Sequence, residues 1–420
     1  MRAVDIIIKK CDGGVLSPEE IRFFVEGYTR GEIPDEQAAA LMMAIFYKGM
    51  DYKETAELTL AMARSGEQVD LSGIPGVKVD KHSTGGIGDK TTLIVGPVAA
   101  ACGIPVAKMS GRALGFTGGT IDKLESIPGV TTSFTVEQMV DMVNVTGICV
   151  AGQTAELAPA DKKLYALRDV TGTIDSIPLI AASIMSKKIA AGADAIVLDV
   201  KYGSGAFMKT REQAQLLADT MCAIGTEVGR NTVAVLNTME EPLGMAVGNA
   251  VEVVEAIETL KGGGSPDLVE HCLGLAGKMI ALGLGVSFEE GERLAQARID
   301  DGSALNKFGD MIAAQGGDRR VCIDPEKYLG QAAYSQVYYA KKDGCLRKID
   351  GYSMGMAAFT LGAGRVVKTD ASDPHAGVVM KTRSGVKVSK GDALCTLYSS
   401  RPIGAEAVAW LDNAYEISEE

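Results

Sequence analysis

Two short stretches of this chain gather the groups that hold an anion. Lys81-His82-Ser83-Thr84-Gly85-Gly86-Ile87-Gly88-Asp89 places a cation, an imidazole and two hydroxyls in one glycine-rich segment. The segment follows VKVD at residues 77–80, which reads as a short strand, and leads into a helix that runs toward Cys102. A strand, a glycine-rich turn and a helix N-terminus aim backbone N–H groups at one point, and the lysine and hydroxyls add to them. The spacing is neither GxxxxGK[ST] nor GxGxxG, so binding of a nucleoside triphosphate does not follow. His82 is one of three histidines in the chain. It titrates near neutrality and suits acid–base work, and a satisfied structural histidine is the equal alternative. His271, beside Cys272, and His375 read as structural or surface residues. The second stretch, Lys108-Met109-Ser110-Gly111-Arg112 through Thr120 to Glu125, again follows a strand-like run (PVAKM, 105–109) and enters a helix. Two such turns at neighbouring strand ends suit a parallel sheet, whose ligands sit beyond the carboxyl ends of the strands.

The elements that carry these turns fall into three textures. The first seventy residues read as helices only. Ser17-Pro18-Glu19-Glu20 has the pattern of a capping box with proline at the first helical position, and Asp51 with Glu54 repeats the capping pattern. From Val77 onward, apolar strands (ICVAG 148–152, AIVLDV 195–200, TVAVLN 232–237) alternate with helical stretches such as Lys162 to Asp169, Pro178 to Ala191 and Glu212 to Val228. That alternation predicts an α/β architecture with a buried, largely parallel sheet. Residues 266–315 read as mainly helical, and beyond Tyr334 short alternating strands with glycine and aspartate turns suggest a small β-rich module with hardly any helix. The chain of 420 residues is long enough for two or three packed cores. Its net charge of −12 argues against a general nucleic-acid binder or a membrane-surface protein. Eight scattered cysteines without a CxxC pair, and histidines without zinc-ligand spacing, read as a reduced cytoplasmic protein.

The run S-G-R-A-L-G-F-T-G-G-T-I-D-K-L-E (110–125), with K-H-S-T-G-G-I-G-D upstream, resembles the signature of the thymidine and pyrimidine-nucleoside phosphorylase family, and the likeness spans essentially the whole chain. The resemblance implies a homodimer without nucleic-acid or membrane partners. It also implies a helical domain (1–70 with 155–192), an α/β phosphate-binding domain (71–154 with 193–334) and a β-rich C-terminal domain (335–420). The implied reaction is reversible phosphorolysis of a pyrimidine nucleoside (uridine, thymidine or deoxyuridine), with inorganic phosphate as the co-substrate and nucleophile. Carried over by position, phosphate is assigned to Lys81, His82, Ser83, Thr92, Lys108, Met109, Ser110 and Thr120. The nucleoside is assigned to Tyr165, Arg168, Ser183 and Lys187, with His82, Arg168 and Lys187 catalytic. Tyr165 and Arg168 are i, i+3 and Ser183 and Lys187 are i, i+4, so each pair shares a helix face. Without the resemblance Arg168 and Lys187 read as solvated surface cations.

The family's potassium site maps to Gly88, Lys90, Leu243, Ala246 and Glu255. Position 90 is usually threonine: an inward lysine side chain opposes a bound cation, whereas ligation by the backbone carbonyl alone leaves the site intact. Phe116 stands where histidine is common and Ala113 where glycine is. Lys108 matches the uridine-accepting members, since stricter thymidine phosphorylases tend to carry methionine there, which implies broad pyrimidine specificity. Strict thymidine phosphorylase, an anthranilate-type phosphoribosyltransferase and a non-catalytic nucleoside-binding protein are the competing readings. The C-terminal module is reminiscent of biotinyl domains, but Val379-Met380-Lys381-Thr382 only partly matches a modifiable lysine motif.

Overall fold

The computed structural model describes residues 1–112, 118–154, 156–365 and 370–418. Four helices come first: α1 (Ala3–Cys11), α2 (Pro18–Arg30), α3 (Asp35–Lys48) and α4 (Tyr52–Ala63). Both capping boxes form. The Ser17 hydroxyl accepts the Glu20 N–H at 3.3 Å while the Glu20 carboxylate accepts the Ser17 N–H at 2.7 Å. Asp51 and Glu54 do the same at the start of α4. Glu54 is buried, and its carboxylate also accepts the Lys10 ammonium at 2.8 Å and the Leu16 N–H at 2.8 Å. One side chain therefore caps α4 and ties it to α1.

The α/β part begins with β1 (Val79–Ser83), α5 (Thr91–Ala101), β2 (Val106–Ser110), α6 (Thr120–Glu125), α7 (Val136–Thr146) and β3 (Ile148–Gly152). It continues with α8 (Pro159–Thr171), α9 (Ile177–Ala190), β4 (Ala195–Tyr202), α10 (Arg211–Glu227) and β5 (Asn231–Thr238). All ladders among these strands are parallel, as the alternation of apolar strands and helices predicts. β1, β4 and β5 form one ribbon, with His82 opposite Leu198 and Ser83 opposite Asp199; β2 and β3 form a second. β1 and β2 pack side by side with no ladder between them. The chain thus winds outward from β1 through β2 to β3, and then the other way through β4 to β5. That reversal opens a crevice at the carboxyl ends of β1 and β2.

Sequence reading put Lys81, His82 and Ser83 in the glycine-rich turn, but β1 extends through them because β4 offers paired backbone as far as Asp199. The turn proper is Thr84 to Lys90. Helices α8 and α9 return to the N-terminal bundle: Leu164 of α8 and Leu179 and Ala182 of α9 pack with Phe24, Leu41 and Leu58. The other side of α9, through Ala181, Met185 and Ile189, packs with Ile196 and Leu198 of β4. α9 is the wall shared by the two cores.

The remaining elements are β6 (Ala246–Gly248), α11 (Ala250–Leu260), α12 (Pro266–Leu284), α13 (Phe288–Asp300), α14 (Ser303–Ala314), α15 (Pro325–Leu329), β7 (Tyr334–Tyr339), β8 (Gly344–Ile349), α16 (Gly351–Ala358), β9 (Gly377–Met380), β10 (Lys387–Val388), β11 (Ala393–Ser399), α17 (Ala405–Ala414) and β12 (Tyr415–Ser418). The C-terminal sheets are antiparallel, in the orders β6-β9-β11-β7 and β10-β8-β12. Two differences from the sequence reading stand out. α16 and α17 are helices in a module expected to have almost none, and β6, far upstream, is recruited into the C-terminal sheet. Among the described residues no single helix is long and apolar enough to cross a membrane.

Removing one partner of a buried ion pair strands the other in low dielectric, at about 3–5 kcal/mol. Lys10→Ala is therefore expected to lower the urea midpoint of the helical part by the equivalent of about 3 kcal/mol, read by circular dichroism. An unchanged midpoint would show that Glu54 is held by its backbone donors alone.

Candidate active site

The crevice between β1 and β2 holds a cavity of about 190 Å³. Strand pleating sends alternate side chains of β1 to opposite faces. Asp80 and His82 go to the crevice side, and Lys81 goes to the other. Asp80 is buried and joins the two strands: one carboxylate oxygen lies 3.3 Å from Lys108 Nζ of β2, and the other accepts Lys188 Nζ of α9 at 2.8 Å. Lys188 also donates to the Met109 carbonyl at 3.3 Å. Two ammonium groups on one carboxylate leave a net positive charge at the cavity wall, inside a chain that is acidic as a whole.

Of the residues assigned to phosphate, His82 and Ser83 line this cavity from β1, Thr92 from α5, Lys108, Met109 and Ser110 from β2, and Thr120 from α6. Ser83 Oγ accepts the Gly85 N–H at 3.1 Å and shapes the turn. Lys81 is the exception. Its ammonium lies 3.2 Å from Asp199 and 3.8 Å from Asp89, and it donates to Thr91 Oγ1. Burial works against that charge, but Asp89 and Asp199 outweigh it and hold Lys81 above its ordinary value. The Lys81 ammonium thus lies behind the strand and not on the cavity wall, for the reason of pleat parity. Asp199 in turn meets Lys201 at 2.9 Å and His271 Nε2 at 3.0 Å, so His271 belongs to a buried ionic cluster rather than the surface.

The same charges tune the cavity. Burial, then Lys188, Lys108, Lys187 and Lys81, push His82 well below its usual value, so it stands as neutral imidazole at physiological pH. Burial pulls Lys108 down to about 7, with Asp80 opposing and Lys188 and Lys81 assisting. Burial also disfavours the charge of Asp89, but Lys81, Lys201 and Lys123 hold its carboxyl well below the usual carboxylate range.

The residues assigned to the nucleoside lie on α8 and α9, outside the cavity wall. Lys187 donates to Asp161 at 2.5 Å and to Ser183 Oγ at 3.0 Å. Arg168 is buried: Nε, Nη1 and Nη2 donate to the carbonyls of Thr173 (3.2 Å), Leu179 (3.1 Å) and Ile174 (2.6 Å). Its guanidinium carbon lies 5.7 Å from the centre of the half-exposed Tyr165 ring. Arg168 is therefore no solvated surface cation. It ties the loop between α8 and α9, while the second N–H on each Nη lies beyond those three bonds.

Sequence reasoning missed Asp80 and Lys188. The signals were there: Asp80 shares a pleat face with His82, and Lys188 continues the buried Ala181–Met185 stripe of α9, where a charge requires a partner. Among the described residues of the signature after Ser110, Gly111, Arg112, Gly118, Gly119 and Thr120 line the cavity, and the charged side chains are paired. Arg112 pairs with Glu125 at 2.7 Å, Arg365 with Asp122 at 2.5 Å, and Lys123 with Glu252 at 2.9 Å and the Asp89 carbonyl at 2.7 Å. Ala113 and Phe116 lie outside the described residues.

The five positions mapped to potassium do converge, but around Lys90. Its side chain points inward with Nζ 2.9 Å from the Leu243 carbonyl, 2.9 Å from the Ala246 carbonyl and 2.5 Å from Glu255. A larger cavity, about 540 Å³, lies beyond Glu255 between α11, α15 and the C-terminal sheet. No residue assigned to phosphate or nucleoside reaches it, and the chemistry concentrates in the smaller one.

The chain matches three family models: the helical bundle domain of the glycosyl transferase family over residues 4–66, its a/b domain over 76–305, and the pyrimidine nucleoside phosphorylase C-terminal domain over 345–418. It is 56% identical to a pyrimidine-nucleoside phosphorylase of Geobacillus stearothermophilus, over 96% of this chain and 93% of that protein. It is 55% identical to the one from Bacillus subtilis, over 97% and 94%. Among solved structures, anthranilate phosphoribosyltransferase from Thermus thermophilus superposes with a TM-score of 0.61 over 75% of this chain and 99% of that one. At 22% identity that likeness concerns the fold.

With three histidines in the chain, imidazole NMR signals are assignable by single substitution. The signal lost in His82→Asn is expected to stay at its neutral position as the pH falls from 8 through the range where free imidazole titrates. A midpoint near that free value would contradict the cationic surroundings described here.

Proposed function

Because the chain belongs to the pyrimidine-nucleoside phosphorylase family, we propose that it catalyses reversible phosphorolysis of uridine, thymidine and deoxyuridine. The single observation that carries the reading is the cationic cavity between β1 and β2, lined by seven of the eight residues assigned to phosphate. Small-ligand pockets commonly run from about 300 to 1,000 Å³. The 190 Å³ cavity therefore suits phosphate and the reacting edge of the sugar, leaving the base to the α8–α9 side.

In the proposed reaction a phosphate oxygen attacks C1′ as the C1′–N1 bond breaks, with inversion, and the bonding electron pair leaves with the pyrimidine. The products are the pentose α-1-phosphate and, once the departing N1 takes up the proton that hydrogen phosphate gives up, the free base. Lys108, Lys188 and the turn N–H groups hold the phosphate, so no side-chain nucleophile is needed. Positive charge develops on the sugar and negative charge on the base. Lys187 and the remaining N–H groups of Arg168 stabilise the base, in the manner of donors preorganised around an anion. His82, kept neutral by its neighbours, donates an N–H hydrogen bond to the pyrimidine 2-oxygen. Lys108, a polar group on the cavity wall able to meet a sugar hydroxyl, supports acceptance of ribose as well as deoxyribose. No step runs through potassium, because the oxygens assigned to it are taken by Lys90.

We place the enzyme in the cytoplasm as a homodimer. Eight unpaired cysteines support a reducing compartment, which cell fractionation checks. Ile8 on α1 and Phe46 and Tyr47 on the adjacent α3 are exposed apolar groups that support self-association, and sedimentation at twice the monomer mass checks it.

The deciding assay is phosphate-dependent release of free base from uridine and thymidine, side by side. Release from both is expected; thymidine cleavage alone would make it a strict thymidine phosphorylase, and turnover of neither would return the transferase and binding-protein readings. Lys188→Met removes a charged donor worth about 1.5–3 kcal/mol. It is expected to raise KM for phosphate about 10- to 100-fold while moving KM for uridine far less. An equal rise in both would remove Lys188 from the phosphate site.

A further inference from the structure

The turn between β1 and α5 ends on Lys90, and its ammonium is among the most completely enclosed charges in the molecule, with no side-chain exposure. An ammonium has three donors. Here they meet three oxygens, the carbonyls of Leu243 and Ala246 at 2.9 Å each and Glu255 Oε2 at 2.5 Å. Glu255 is itself fully engaged, accepting the Met245 N–H at 2.6 Å and the Ala246 N–H at 2.9 Å. The 243–246 loop lies directly on the turn. Leu243 N–H donates to the Ile87 carbonyl at 3.0 Å, and a Cβ on Gly88 would fall 2.5 Å from the Leu243 oxygen. Two backbone oxygens and a carboxylate crowded around one point repel each other unless a cation sits among them, and in this chain the cation is covalently attached.

We infer that Lys90 is an internal counter-ion that replaces a bound monovalent cation, so that the turn is locked to the 243–246 loop without any dependence on potassium. An ammonium nitrogen keeps about the same distance from oxygen as a potassium ion does, so it takes up the same space. A second cation finds no free oxygen in this shell, and it meets the Lys90 charge at contact distance in a buried setting, where like charges repel strongly. Lys90 is a positioning residue. It is adjacent to Asp89, which borders the cavity, and α5 starts immediately after it. The inference rests on packing and holds whichever nucleoside is cleaved.

Thermal unfolding tests it independently of the phosphorolysis assay. The enzyme is exchanged into potassium, sodium or tetramethylammonium chloride at equal ionic strength, and Tm and kcat/KM are measured. For the unaltered chain, Tm is expected to agree within about 1 °C and kcat/KM within about twofold across the three salts, as for a protein with no linked ion. A potassium-specific rise in Tm of several degrees, or a gain in kcat/KM of about tenfold, would overturn the inference. Lys90→Thr and Lys90→Ala vacate the shell while leaving its oxygens in place, and Glu255 borders the 540 Å³ cavity through which an ion can enter. Both variants are expected to melt lower than the parent in tetramethylammonium and to regain Tm saturably with potassium. The absence of any potassium-specific recovery in folded variants would show that Lys90 does not stand in a cation's place. Should neither variant fold, the comparison of salts on the unaltered chain decides alone.

Discussion

Everything at the candidate site depends on one carboxylate with two ammonium partners. Asp80 sits where the parallel sheet parts, and it is shared by Lys108 from β2 and Lys188 from α9. With one partner it would be a neutral buried pair and the crevice would carry no surplus charge. With two, the crevice keeps a positive charge that an anion can neutralise, and the neighbouring imidazole is held neutral. The break in the sheet and the charge within it meet at one place, where Lys188 reaches both Asp80 of β1 and the Met109 carbonyl of β2.

Lys188 also ties the site to the architecture. α9 belongs to both cores, facing the helical bundle on one side and β4 on the other, and it carries Lys187 next to Lys188 and Ser183 one turn before Lys187. On the opposite flank, the turn after β1 is fixed by charges that never touch the cavity. Lys81 on Asp199, Lys123 on Glu252 and Lys90 on Glu255 are each buried, and each is paired. Buried pairs cost desolvation and add little net stability, but they tolerate little displacement, which suits a turn that must present its N–H groups in one geometry.

Much of this was legible in the sequence, to different depths. The capping boxes, the alternation of strands and helices and the two glycine-rich segments follow from local chemistry and period, and the parallel sheet followed from them. Lys81 was misplaced because a turn assignment ignores pleat parity, and parity is fixed only once β4 sets how far β1 extends. Arg168 and Lys187 read alone as surface cations, since nothing local reveals that α8 and α9 fold back onto the first four helices. Asp80 and Lys188 were overlooked because their partners lie on other elements, although a charge on an apolar stripe was a usable hint. The inward turn of Lys90 was likewise undecidable in one dimension, because its three oxygens come from residues more than 150 positions away. Small, glycine-rich α16 gave no helical signal above its surroundings.

The central claim is that the β1–β2 crevice is a dianion site whose charge is set by Lys108 and Lys188 around Asp80. The most direct test is calorimetric titration with sulfate, a dianion that does not itself titrate near neutrality, between pH 6 and 8.5. With Lys108 pulled down to about 7 in the empty site, binding takes up a proton above that value. Sulfate affinity is therefore expected to be level below pH 7 and to fall about tenfold per unit above it. In Lys108→Met the affinity is expected to be weaker and the fall to disappear. A pH-independent affinity in the unaltered chain, or the same fall in Lys108→Met, would contradict the account.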